Sequence, residues 1–200
     1  MTYRMPVRAS LALAATLLPT LAFAHTGVGH AAGFLHGFEH PIFGLDHVLA
    51  MVAVGIFAWQ LGGRAIWLVP LTFVLVMAAG GALGVAGIDV PFVETGIALS
   101  VVVLGAAVAL GIRAPAAAAM GLVGLFAIFH GHAHGAEMPA DASGLAYGIG
   151  FMAGTALLHL AGLAAGYAIG AVGDLYGKVL VRGAGAAIAV AGVGIVTGVI

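Results

Sequence analysis

The chain has 200 residues, of which 63% are hydrophobic and only 6% charged, with a mean hydropathy of +1.21 and a formal net charge of −1 with the histidines neutral. A soluble domain needs roughly 25% charged residues to cover its surface, so this composition excludes a water-covered globule. A charge near zero with no basic run excludes nucleic acid as a partner.

The solvent implied is lipid. The 33 glycines are scattered among Ala, Val, Leu and Ile rather than clustered as linkers, and small residues in apolar spans let helices approach closely. Cysteine is absent. Disulfides and thiolate metal sites are therefore excluded, and a metal would need His, carboxylate, Met or backbone ligands. Against six basic and seven acidic residues, nine histidines are the anomaly.

Residues 1–24 read as a cleavable secretory signal. Arg4 and Arg8 give the positive start, residues 10–18 a short apolar stretch, and Ala22-Phe23-Ala24 the cleavage pattern. The apolar stretch is too short to cross a membrane alone. Cleavage would leave residues 25–200 as one membrane domain beginning at His25 on the outer side.

Six apolar segments follow, near residues 41–61, 65–85, 91–112, 115–134, 143–170 and 179–200. Each approaches or exceeds the roughly 20 residues a helix needs to cross about 30 Å of hydrocarbon. No strand-like alternation appears. The expected fold class is all-α, a polytopic membrane protein with six transmembrane helices in one bundle and both mature termini periplasmic. The basic residues beyond the signal agree with that orientation: Arg64, Arg113, Lys178 and Arg182 all fall in or beside the first, third and fifth connections, which would be cytoplasmic. Glu39, Asp89, Glu94, Glu137 and Asp141 fall toward the other side.

In the fifth segment Gly144, Gly148, Gly150, Gly154, Gly162, Gly166 and Gly170 predict a groove for a neighbouring helix. Pro91 and Pro115 are expected in first turns of their helices, and Glu94 is expected to complement a helix N-terminus.

Three groups carry chemistry. The first is His36 to Met51, where ionisable groups stand at the start of a span and so ask for a specific reason. At about 100° per residue, His36, His40, His47 and Met51 share one helix face, with Asp46 at its side. Pro41 is expected in a first turn, with His40 at the boundary and His36 on a preceding segment. The second is Phe129-His130-Gly131-His132-Ala133-His134-Gly135-Ala136-Glu137. Here His130, His134 and Glu137 lie within about 60° of one another and His132 opposite. The third is His159, deep in the fifth span. Imidazole and carboxylate together suit late first-row divalent metals, with proton relay a competing use.

The run His40-Pro41-Ile42-Phe43-Gly44-Leu45-Asp46-His47-Val48-Leu49-Ala50-Met51 resembles the first motif of the HupE/UreJ family of bacterial nickel permeases. The run from Phe129 to Glu137 resembles the family's second motif. The resemblance covers the whole chain. It implies a secondary, non-ATPase permease for Ni²⁺ in the bacterial inner membrane, serving hydrogenase or urease maturation. It also implies His40, Asp46, His47, His130, His134 and Glu137 as the functional positions.

On that reading residues 25–200 are a permease domain with an outward-facing metal site and no permanently bound cofactor. Its partners are the divalent ion and the lipid bilayer, and it is not an enzyme. The ligand set itself would also accept Co²⁺ or Zn²⁺. Second-tier positions along the route are His25, His30, His36, Met51, His132 and His159, of which His25 and His30 would capture the ion first. A homo-oligomer is compatible with the sequence. Two other readings stand beside this one: an intramembrane zinc-dependent hydrolase, and a metal sensor or assembly factor without transport. No H-E-x-x-H run supports the hydrolase. Finally, the two motifs open span one and close span four on the same side, as an inverted repeat of three spans would require.

Overall fold

In lipid an unpaired backbone N–H or C=O is costly, and a helix pairs each one within its own segment. The computed structural model describes residues 30–138 and 143–200, and there the apolar segments are all helical. The helices are α1 (His30–Phe43), α2 (Leu45–Leu61), α3 (Ala65–Val85), α4 (Val93–Leu110), α5 (Ala116–Ala136), α6 (Gly144–Gly170) and α7 (Asp174–Val196). The signal sequence with its cleavage site, His25, the side chain of His30 and Asp141 lie outside the described residues.

Five helices, α3 to α7, are each long and apolar enough to cross a membrane, and α1 with α2 makes a sixth candidate bent by 80°. The 21 residues of α3 or α5 give about 31 Å at 1.5 Å per residue, the thickness of the hydrocarbon.

The first span departs from expectation. Pro41 stands in the last turn of α1, not the first turn of a span, because the helix starts well upstream, at His30. The break falls at Gly44, whose backbone is extended. Proline has no N–H for the preceding turn and weakens the helix there; Gly44 then gives the chain room to turn. His36 and His40 therefore sit on a different helix from His47 and Met51, and the shared face does not exist as a continuous stripe. The last helix begins at Asp174, so Lys178 and Arg182 lie within its first turns, exposed. Pro115 is the N-cap of α5 and Pro91 precedes α4 by two residues, each just outside its helix.

Four close helix pairs build the bundle: α3 on α5, α4 on α7, and both α1 and α2 on α6. Exchanging α2, α3, α4 with α5, α6, α7 swaps the α2–α6 and α3–α5 pairs and maps α4–α7 onto itself. The α2–α4, α2–α3 and α6–α7 contacts have no α5–α7, α5–α6 and α3–α4 counterparts among the described residues.

Small residues set these distances. A Cβ on Gly131 would strike the Met77 carbonyl, so only glycine lets α5 settle on α3. The groove expected on α6 is divided among partners: Gly150 and Gly154 receive α1, Gly162 receives α2, and Gly166 and Gly170 receive the Trp59 ring, whereas Gly148 faces open space.

Short connections alternate the helices end to end, giving the bundle a histidine end and an arginine end. At the arginine end Gly62 and Gly63 both have positive φ, 71° and 52°, in the tight α2–α3 turn. Arg64, Arg113, Lys178 and Arg182 are exposed there. Between them and the histidines the core is apolar, with Phe57, Val69, Leu104, Val108, Ala119 and Val123 all buried.

Candidate metal site

The 80° break turns α1 back over the bundle, so His40 meets residues of α5. The His40 and His134 ring centroids are 4.6 Å apart. His47, from the start of α2, lies 4.5 Å from His134 and 4.9 Å from His130 by the same measure. Glu137, the C-cap of α5, completes a triad with His40 and His134 in which one ligand atom from each residue lies within 4.8 Å of the others. Two ligands on opposite sides of one ion stand about 4.2 Å apart at metal–nitrogen distances near 2.1 Å. Small rotamer shifts would close the triad around one cation.

Asp46 and His47 form a unit. One carboxylate oxygen of Asp46 accepts the His47 backbone N–H at 2.8 Å and faces His47 Nδ1 at 2.7 Å. The pairing fixes the imidazole with its proton on Nδ1 and leaves the Nε2 lone pair for a ligand, the arrangement that orients histidines at metal sites. Nε2 of His47 in turn points at Nε2 of His134. Gly44 makes room for the unit: a Cβ there would come within 2.9 Å of His47 Nδ1 and 3.0 Å of Asp46 Oδ1. Gly44 thus serves both the chain's turn and the pair's position.

His130 is fully buried, and its tautomer follows from one neighbour. The Ser100 hydroxyl donates to the Ile97 carbonyl at 2.6 Å. Its oxygen is then free to accept from His130 Nε2, 2.9 Å away. That leaves Nδ1 of His130 as a bare acceptor, buried and without a partner among the described residues. Nδ1 of His134 is likewise unpartnered. A buried polar atom left unsatisfied costs about 1–3 kcal/mol, so the cluster has unused bonding capacity.

His40, Asp46, His47, His134 and Glu137 line a cleft of about 480 Å³ at the histidine end. Among the described residues its polar lining is His36, His40, His47 and His134 with Glu39, Asp46, Glu94 and Glu137, and no Lys or Arg. Carboxylates of one sign in a cleft with low-dielectric walls concentrate cations.

All six first-tier residues therefore gather at one end, with His130 just beneath the cleft. Among the second-tier residues, His36 lines the cleft, 5.9 Å from the Tyr147 ring. Met51 is buried in the apolar core one turn below His47 and does not line the cleft. His132 instead bonds the Ile88 carbonyl at 2.8 Å, tying α5 to the α3–α4 connection. His159 lies deeper.

Three contributors went unassigned in the sequence. Glu39 signals itself only as a carboxylate beside His40. Ser100 is a lone hydroxyl in an apolar span. Glu94 does stand in the first turn of α4, as expected, and it also faces the cleft.

Fold and site together define a helical multi-pass membrane protein with an acidic, histidine-lined cleft at one end of the bundle. The chain belongs to the HupE/UreJ family, whose model, described as HupE / UreJ protein, matches residues 13–195. It is similar to Protein HupE of Rhizobium leguminosarum bv. viciae, with 50% identity over 186 residues that cover 93% of this chain and 95% of the relative. No solved structure matches the chain. It is thus a bacterial membrane protein of this family, which is not a family of enzymes.

Proposed function

We propose that the chain is a secondary permease carrying Ni²⁺ inward across the bacterial inner membrane, for maturation of a hydrogenase or urease. The observation that carries this reading is the cluster of His40, Asp46, His47, His134 and Glu137 lining a carboxylate-rich cleft, with His130 just beneath it. Imidazole with carboxylate suits Ni²⁺, and would accept Co²⁺ or Zn²⁺. Nickel itself comes from the family resemblance.

A signal sequence over residues 1–24 and arginines at the opposite end favour a periplasmic cleft, with six spans and both mature termini outside. On this reading residues 25–200 form the permease domain, and Ni²⁺ is cargo rather than a resident cofactor. The ion meets His40, His134 and Glu137 first. It then exchanges onto His47, whose Nε2 is presented by Asp46, and reaches Nδ1 of His130. Family membership weighs against the hydrolase reading. A sensor without transport is separated by experiment: radioactive nickel accumulates faster in cells that produce the chain than in cells that lack it. Equal accumulation in the two would reject the permease.

A further inference from the structure

His159 is 1% exposed, and neither of its ring nitrogens has a hydrogen-bond partner among the described residues. Buried polar atoms are nearly always paired, so an imidazole orphaned at both nitrogens asks for an occupant. It lies fifteen residues after Gly144 along α6, about 22 Å of helix at 1.5 Å per residue. His130 is only six residues from the end of α5 at Ala136, about 9 Å by the same measure. His159 is therefore the deeper of the two.

The Phe73 ring links them, with its centroid 5.6 Å from that of His130 and 5.2 Å from that of His159. One turn before His159 on the same helix, the fully buried Thr155 directs its hydroxyl at the Met77 sulfur, 3.7 Å away. Met77 stands one turn after Phe73 on α3. An imidazole, a thioether and a hydroxyl are thus grouped between α3 and α6, and none carries a charge.

We propose that His159, with Met77 and Thr155, forms a second, uncharged metal station below the cleft that passes late first-row divalent cations and rejects hard ones. The proposal rests on the permease reading. The cleft's carboxylates suit Mg²⁺, Ca²⁺ or Mn²⁺ as well as Ni²⁺, whereas imidazole and thioether select against ions that demand oxygen ligands. A neutral station also holds a dication less tightly than an anionic one, and transfer needs a site weak enough to leave. Charge at the cleft collects cations; its absence at His159 sorts them.

The test uses the full chain reconstituted in liposomes, with radioactive nickel and manganese uptake measured beside nickel binding by the purified protein. His159→Phe keeps the side-chain bulk and removes both nitrogens. The expected result is nickel uptake reduced at least tenfold, with the tightest nickel-binding step within twofold of wild type. Met77→Leu should lower the nickel-to-manganese uptake ratio severalfold, a readout that a packing role would not move. Nickel uptake by His159→Phe within twofold of wild type overturns the deep station and leaves the permease reading standing. If His159→Phe does not reach the membrane, Met77→Leu and Thr155→Val decide, and unchanged uptake ratios in both overturn it. Absence of nickel uptake by the wild type overturns both readings.

Discussion

The two halves of the bundle are built from the same helices but filled in opposite ways. In the histidine half α1, α2, α4, α5 and α6 each bring a polar group inward or to the cleft, and the buried polar residues His47, Ser100, His130, His134 and Thr155 belong to it, with His159 at its lower boundary near the middle of α6. In the arginine half the described buried residues are apolar: Phe57, Val69, Leu104, Val108, Ala119 and Val123 among them. Its charged residues stay on the rim. One half is open, acidic and under-bonded; the other is dry and closed. On the permease reading, a cation would enter the first half while the second keeps the membrane sealed.

Mutations should divide along the same line, by stability in one half and by metal handling in the other. The largest effect is expected from Phe57→Ala in the apolar half, where truncating a buried phenylalanine costs about 3–5 kcal/mol. Thermal or denaturant unfolding of the purified protein would register it. Asp46→Asn comes next. Loss of the carboxylate that holds His47 should weaken nickel binding by about 10–100-fold with little change in unfolding, as equilibrium dialysis would show. Gly44→Ala is the smallest. Its methyl group meets His47 Nδ1 and Asp46 Oδ1 rather than backbone, so the pair must move while the fold need not. Nickel uptake should fall about tenfold, equivalent to about 1.4 kcal/mol, with membrane levels unchanged. An Asp46→Asn protein that unfolded as readily as Phe57→Ala would erase the distinction between the halves.

Much of the fold was legible because lipid leaves so few choices. Residues 65–85 were bounded by charge and glycine on both sides and appear unchanged as α3. The first span was not. Pro41 marked a boundary between His36 and His47, but not that the helix before it starts at His30, that the break falls at Gly44, or that it reaches 80°. The expected helical face placed His40 near His47 by one turn-counting argument; the structure brings both to His134 instead, by folding α1 back over the bundle. That the two motifs converge was readable from their shared depth. The tautomers were not, since they depend on Ser100, thirty residues from His130 in the chain. Glu94 shows a related limit: an acid in a first turn satisfies a helix terminus and a cleft equally well, and sequence offers only the first account. Met51 shared the expected face with His47, yet depth along α2 puts it in the core.

His47 is the residue where the two motifs join, held by Asp46 on one nitrogen and directed at His134 by the other. Radioactive nickel accumulation in cells producing the wild type or His47→Ala, compared at equal membrane abundance, tests its role most directly. Accumulation by His47→Ala should fall to the level of cells without the protein. Accumulation equal to the wild type would contradict the site.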